Sequence, residues 1–380
     1  MNFLRKVNLN KKIEYYPDYY YSKRTNKKNY IIHHYCPHTY NAGDHFVVLS
    51  IRKHIKKYLP NAIFIPKAVA GNRGWGKPIG LKGKNIYHSN KFADAVIVGG
   101  SDLYNNWSPK IKADEIKHLV PPFFLIGLGV SSSDLNEAPY LEKENYKADI
   151  LATNAKAKLS SVRDLMTQQF LKNLGFEHSI VTGCPALFLF ENQLSTNNAK
   201  RVLLTFPYPL LYHTKNSSQQ KKFTILLQII KDTISFLESK ELQPIIVCHD
   251  DRDVPPAQIL FLNHPIFFSN YAEKYFNLYK NARMVVGSRL HATILAASIG
   301  TPFLNINLDL RGTGFSKTFK LESWNVNYNV TQISEKIKER ISMILDDNLS
   351  PFKEFMNEKK HYRTIFENFM QEVAKQIRDS

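Results

Sequence analysis

From Tyr30 onward, apolar residues fall into short continuous runs separated by longer stretches of helical spacing. YIIHHY is a β-like run. After the loop CPHTYNAGD, the segment HFVVLSIRKHIKKYL places Phe46, Leu49, Ile55 and Leu59 on one helical face with lysines opposite. This strand–loop–helix unit recurs. ADAVIVGG is an apolar strand ending in paired glycines, and PFFLIGLGV is another that leads into GVSSSD. AKLSSVRD runs into the helix LMTQQFLKNLG, closed by Gly175 as a C-cap. HSIVTGCPALFLF reads as a strand entering a loop. Beyond the polar stretch ENQLSTNNAK the pattern restarts with the strand RVLLTFPY, the helix KKFTILLQIIKDTISFLESK and the strand QPIIVCHDDRD with its polar mouth. YFNLYKNARMVVGSRLHATILAASIGTPFLNINLD then reads helix, strand, helix, strand. The tail from Val330 to Ser380 is helical, with a break near NLSPF.

Strands this continuously apolar are covered on both faces, so the alternation predicts an α/β protein with parallel sheets between helices. The chain has 380 residues, and single hydrophobic cores stop growing at roughly 250–300 residues. Two Rossmann-like domains are therefore expected, divided near the polar stretch 191–200. The expected organisation is a basic N-terminal arm over 1–29, one domain over 30–192, a second over 193–330 and C-terminal helices over 331–380.

In open α/β sheets a ligand sits beyond the carboxyl ends of the strands. The residues expected there are His33, His34, His38, Asn41, Gly43 and Asp44 after the first strand, and Gly99, Gly100, Ser101 and Asp102 after AVIVGG. Ser131, Ser132 and Ser133 follow FFLIGLG, and Arg163 and Asp164 follow LSSV. His249, Asp250 and Asp251 follow PIIVC, and Arg289 and His291 follow MVVGS.

Several chemistries are disfavoured. There is no GxGxxG after the first strand, no GxxxxGK[ST] and no GxSxG, so a dinucleotide site, a P-loop and a serine-hydrolase elbow lack support. Three widely spaced cysteines without a CxxC indicate neither zinc nor a redox pair and suit a reducing compartment. The cluster His33, His34 and His38 reads as loop histidines rather than a metal site, and HDDRD as a solvated charge run. No metal is expected.

GSRLHA is more specific. Arg289 and His291, two apart at a strand end, point the same way, and ATILAASIG after them is a fully apolar helix. Two readings stand: a buried arginine paired to a structural carboxylate beside a core histidine, or an anion site. In the second, the helix N-terminus supplies free N–H groups, the arginine supplies a bidentate fork, and the histidine exchanges a proton near neutral pH.

Taken together these blocks resemble the polysaccharide pyruvyltransferase family. The matching pieces are NAGD at 41–44, ADAVIVGGSDL at 93–103, LIGLGV at 125–130, SVRD at 161–164 followed by Leu171 and Gly175, TGCPAL at 182–187, and MVVGSRLHATILAASIGTPFLNIN at 284–307, the most specific of them. Two departures stand out. Ser101 follows Gly99 and Gly100 where the family often has a third glycine, and Cys184-Pro185-Ala186 stands where it often has Asp-Pro-Ala.

The resemblance implies a GT-B-like architecture: an acceptor-side and a donor-side Rossmann-like domain with a cleft between them, and C-terminal helices. It implies transfer of pyruvate from phosphoenolpyruvate onto two hydroxyls of a sugar, in a cell-surface polysaccharide or its lipid-linked precursor, to form a cyclic ketal. It carries catalytic roles onto Arg163, Arg289 and His291. Two arginines suit the carboxylate and phosphate of the donor, and His291 is the candidate acid for its methylene carbon. Asp44, or a histidine of the 33–38 cluster, is the candidate base. Asn41, Gly43, Gly99, Gly100, Ser101, Leu290 and His38 are the expected substrate-binding residues, and phosphoenolpyruvate enters as donor substrate with no cofactor.

The net charge of +18, from 51 basic and 33 acidic residues, fits an anionic donor and peripheral contact with an anionic membrane. It is spread along the chain without a long basic block or an RNA-binding motif, so nucleic acid is not an expected partner. The N-terminal sequence lacks the apolar core of a signal peptide and no run approaches about 18 apolar residues. The expected location is therefore cytoplasmic, with peripheral contact at the inner membrane face as a further hypothesis from the charge. The alternative on the same fold is a nucleotide-sugar glycosyltransferase that uses GSRLHA as its diphosphate site.

Overall fold

The structure is a computed structural model describing residues 29–37, 41–69, 80–100, 104, 111–132, 134–138, 141, 143–191, 194, 196–206 and 217–380. Its first sheet has six parallel strands: β1 (Tyr30–Cys36), β2 (Ala62–Ala68), β3 (Ala95–Gly99), β4 (Phe123–Leu128), β5 (Leu159–Val162) and β6 (Ile180–Val181). The helices between them are α1 (Ala42–Tyr58), α2 (Lys84–Phe92), the one-turn α3 (Ala113–Ile116), α4 (Glu144–Lys156) and α5 (Leu165–Asn173). The second sheet repeats the plan with β7 (Arg201–Thr205), β8 (Gln243–Val247), β9 (Ile266–Phe267), β10 (Met284–Gly287), β11 (Phe303–Asn307) and β12 (Asn325–Asn327). Its helices are α6 (Ser217–Ser239), α7 (Val254–Leu260), α8 (Ala272–Lys280), α9 (Leu290–Ile299), α10 (Leu310–Phe319) and α11 (Ile333–Leu345); α12 (Lys353–Arg378) follows a short 3₁₀ turn at Ser350–Phe352.

The strand orders are β2-β1-β3-β4-β5-β6 and β12-β11-β10-β7-β8-β9. In each sheet the order reverses beside the first strand, between β1 and β3 and between β7 and β10. Chain segments leaving the two sides of such a point open a crevice. Asn41 and Gly100 flank the first switch point, and Thr205 and Arg289 flank the second. This is the pair of Rossmann-like α/β units expected from the strand pattern, in the GT-B-like arrangement that the family resemblance implies.

β3, β4, β10 and β11 are buried at every position, which explains their unbroken apolar sequence. α9 is unusual. All of its residues except His291 are buried, so it carries no solvent stripe. It is closed by Gly300, whose φ of 93° is the left-handed conformation a side chain disfavours. Gly175, at φ 99°, ends α5 in the same way.

Three sequence expectations are corrected. The buried stripe of α1 includes Phe46, Val47, Ser50, Ile51, His54 and Ile55, whereas Leu49 faces solvent. Polar Ser50 and His54 enter the stripe because they find partners: Ser50 Oγ donates to Pro185 O at 2.6 Å, and the His54 ring meets Phe366 edge-on at 4.8 Å. His33 and His34 are not loop residues but lie inside β1, buried. His34 Nε2 bonds Gly99 O, and its Nδ1 accepts from Arg52 Nε. Burial, reinforced by Arg52, pushes His34 down to about 3. HDDRD is not a solvated run either, since Asp250 and Asp253 are buried.

α12 packs on both halves of the molecule. Phe355 meets Phe303 of β11 and Phe319 of α10, while Phe366 stacks on Phe188 and meets His54 of α1. Among the described residues no helix is long and apolar enough to cross a membrane.

Candidate active site

β10 ends at Gly287, and Ser288 and Arg289 form the link to α9. Thr205, the last residue of β7, fixes this link. Its Oγ1 accepts from the backbone N–H of Ser288 at 2.9 Å and of Arg289 at 3.3 Å, and its carbonyl accepts from Ser288 Oγ. Arg289 holds the N-cap position with extended backbone and makes no side-chain cap bond, and α9 turns the positive end of its dipole toward this link.

The guanidinium of Arg289 is anchored on one side. Nη2 donates to Oδ1 of Asp253, which is only 1% exposed. The other carboxylate oxygen, Oδ2, accepts from the backbone N–H of His249 and of Asp250, each at 3.1 Å. Asp253 thus joins the end of β8 to the arginine. Asp250 and Asp253 form a capping box on the turn Asp251–Asp253, with Arg252 turned outward and bidentate on Asp250 at 2.6 and 2.7 Å. Burial opposes ionisation of Asp250, but the Arg252 hydrogen bonds and the charge of Arg289 hold its carboxyl below the usual range. Arg289 Nε is buried and has no hydrogen-bond partner among the described residues. Such a donor carries an uncompensated desolvation cost of about 1–3 kcal/mol.

His291, in the first turn of α9, packs against Gly43 in the first turn of α1. A β-carbon at Gly43 would lie 2.6 Å from His291 Cγ, so glycine is what lets the two helix starts meet. A second bond spans the same junction: Ala42 N–H donates to His249 O at 2.7 Å. Asn41 caps α1, its Oδ1 accepting from Gly43 N–H at 2.8 Å, and Asp44 lies buried in the same turn. Behind them His249 is fully buried, with Nε2 2.6 Å from the hydroxyl of Tyr279. Burial, then the charges of Arg289 and His291, drives its pKa well below the ordinary value, so it stays neutral.

The structure therefore brings Arg289, Leu290 and His291 together with Asn41, Gly43 and Asp44. Gly99 and Gly100 lie beside α1, the latter at φ 110° with Pro37 and Val47 around it. Arg163 occupies a different part of the junction. It follows β5, three strand positions and so about 14 Å from β1. Its Nη2 donates to Val130 O at 2.9 Å and its Nε to Asp164 at 3.2 Å, while Nη1 is buried with no hydrogen-bond partner among the described residues. Gly129 makes room for it, since a β-carbon there would come 2.7 Å from Arg163 Cδ. Asp164 faces Gly314 of α10, and Leu165 N–H donates to Thr318 Oγ1 at 2.9 Å, so this arginine too sits where the halves meet. The charge of Arg163 reaches Cys184, though burial dominates there and raises the thiol to about 11. Ser101 and His38 lie outside the described residues.

Asp253 and Thr205 were not singled out by the sequence reading. A signal for Asp253 was present: Asp250 and Asp253 are three apart before a Val-Pro-Pro helix start, the spacing that sets two carboxylates on one side of a turn. Thr205 carries no comparable signal.

The sequence pattern of the polysaccharide pyruvyl transferase family matches residues 41–309. No curated protein matches the chain. Among solved structures, a putative UDP-N-acetylglucosamine 2-epimerase from Listeria monocytogenes is similar at 12% identity and TM-score 0.56, covering 87% of this chain and 91% of that one. A UDP-GlcNAc 2-epimerase from Neisseria meningitidis bound to UDP-GlcNAc gives 12% and 0.53, covering 92% and 99%. A glycosyltransferase from Rickettsia africae gives 13% and 0.53, again covering 92% and 99%. At these identities the likeness is one of fold.

Proposed function

Because the chain belongs to the polysaccharide pyruvyl transferase family, and so to the transferases, we propose that it moves pyruvate from phosphoenolpyruvate onto two hydroxyls of a saccharide, forming a cyclic ketal. The observation that carries this reading is the state of Arg289. One edge of its guanidinium is held by buried Asp253, and its buried Nε has no hydrogen-bond partner among the described residues, at the positive N-terminus of α9. A cation fixed from behind and unsatisfied in front is built to receive an anion.

In this reading Arg289 and the first amides of α9 take one anionic group of the donor. Arg163 takes the other through Nη1, approaching from the opposite sheet. His291 gives a proton to the methylene carbon, which becomes the methyl group, and positive charge develops on the adjacent carbon. A saccharide hydroxyl attacks that carbon and loses its proton to Asp44. The carbon–oxygen bond to phosphate breaks, and phosphate departs with one proton. The second hydroxyl closes the ring and releases its proton. Of the two hydroxyl protons, one balances the proton used at carbon and one the proton carried by phosphate. His33 and His34 are set aside as bases, because both rings are buried in β1 and committed to Ser89 and Gly99.

The second reading, nucleotide-sugar glycosyl transfer, is favoured by the same fold in neighbours whose names include UDP-GlcNAc. Thermal shift of wild type and Arg289→Ala separates the two, with phosphoenolpyruvate, uridine diphosphate and guanosine diphosphate run in parallel. A ligand confined to the native state raises Tm with its occupancy. Stabilisation by phosphoenolpyruvate that is lost in the variant is the expected result. Stabilisation by a nucleotide diphosphate alone would move the assignment to the second reading.

A further inference from the structure

A cavity of about 380 Å³ lies away from the cleft, between α12 and the chain that joins the two sheets. Its volume falls in the range of about 300–1,000 Å³ usual for small-molecule sites. Three cations of α12 line it: Lys359, Lys360 and Arg363. Their spacing of i, i+1 and i+4 gathers them toward one side of the helix. The carboxylate lining it is Glu191, paired with Arg363 Nη2 at 2.6 Å, while Arg363 Nε reaches Glu367 at 3.3 Å. Met356 and Leu194 supply an apolar wall.

We propose that this cavity binds a phosphate or diphosphate group carried on a partly apolar molecule. Ammonium and guanidinium donors on one rigid helix match phosphate oxygens, and the apolar wall suits the body of the ligand. The inference does not rest on the reading of the cleft.

The cavity also touches the helix that carries the candidate active site. Lys359 Nζ donates to Ala297 O at 2.6 Å, in the last turn of α9, where a cation complements the helix dipole. Ala297 is six residues beyond His291, so the two ends lie about 9 Å apart along α9. Burial, with the charge of Arg363 adding, lowers Lys359 to about 8. An anion beside it favours the ammonium form, so binding near pH 8 takes up a fraction of a proton.

Isothermal titration with inorganic pyrophosphate at pH 8, in two buffers of different ionisation enthalpy, tests this on wild type and Arg289→Ala, and on Lys360→Glu and Lys359→Met each made in the Arg289→Ala background. Lys360 is exposed, so Lys360→Glu leaves folding intact. In the Arg289→Ala background pyrophosphate still binds, Lys360→Glu weakens it at least tenfold, and proton uptake disappears in Lys359→Met. A parallel arm uses phosphatidic acid vesicles against phosphatidylcholine vesicles. Lys360-dependent binding to the phosphatidic acid vesicles, without binding of free pyrophosphate, identifies a lipid headgroup as the source of the phosphate and sustains the site. The proposal is overturned if all anion binding vanishes in Arg289→Ala, or if Lys360→Glu binds both probes as its Arg289→Ala parent does. Failure of the cleft reading shows separately, as absence of any phosphoenolpyruvate effect at Arg289.

Discussion

His291 rests on Gly43, so the helix start that carries the candidate acid is seated directly on the helix start that carries the candidate base, Asp44. The seat has no spare volume. Gly43→Ala would drive a methyl group into the imidazole and displace it by several tenths of an ångström or more. Misplacement by about 1 Å costs on the order of 100-fold in rate. Phosphate release from phosphoenolpyruvate in the presence of a saccharide acceptor should fall by about that factor, with the fold retained by circular dichroism. Undiminished turnover would remove His291 from the chemistry.

Asp253 binds three donors with two oxygens, and one of those donors is the Arg289 guanidinium. Removing one partner of a buried ion pair costs about 3–5 kcal/mol. Asp253→Ala is therefore expected to lower unfolding stability by about 3 kcal/mol in urea titrations. Asp253→Asn, which keeps the shape, should lose less stability yet still lose the Tm rise with phosphoenolpyruvate, because Arg289 is no longer held. If both variants respond to the donor like wild type, Asp253 is structural only.

Arg163 reaches its place across a glycine. Gly129→Ala puts a β-carbon in the path of its side chain. The expected outcome is weaker donor binding, about tenfold in Kd, with a loss of stability of about 1–3 kcal/mol from overpacking the buried arginine. Arg163→Lys should behave similarly, since a single ammonium centre cannot reproduce the spread of the planar fork, whose Nε and Nη2 reach Asp164 and Val130 O while Nη1 stands apart. Donor titration by calorimetry checks both.

Acid sensitivity follows from His34. Its pKa is about 3 when folded and about 6.5 unfolded. Because the folded value is the lower one, the unfolded chain takes up the proton first, and stability falls as pH drops from 6.5 toward 3. The slope is about 1.4 kcal/mol per pH unit, so this residue contributes a loss of roughly 2 kcal/mol between pH 6.5 and 5. In urea titrations at pH 7 and pH 5, His34→Gln should narrow the difference by about that amount. An unchanged difference would mean that His34 is not the group that titrates.

Much of this was legible in the order of apolar runs. Continuous apolar strands announced parallel sheets covered on both faces, and the GSRLHA junction announced the helix that carries Arg289 and His291. What remained hidden depended on partners far away in the chain. His33 and His34 look like loop residues because isolated imidazoles are polar. They are buried because Ser89 and Gly99, 56 and 65 positions away, satisfy them. Leu49 looks like a core residue by spacing, but the buried face of α1 is chosen by what covers it: Pro185 for Ser50 and Phe366 for His54. The acidic run at 250–253 looks solvated because charge usually is. Its capping box turns two carboxylates inward, and Arg289 meets one of them.

The contact of α12 with α1 also bears on synthesis. Lys57 and Glu367 meet although they stand 310 positions apart. The N-terminal sheet can form as it leaves the ribosome, yet the aromatic seat around Phe188 and His54 is covered only when Phe366 arrives. Until then the seat stays uncovered, so the half made first is completed only by the last helix of the chain.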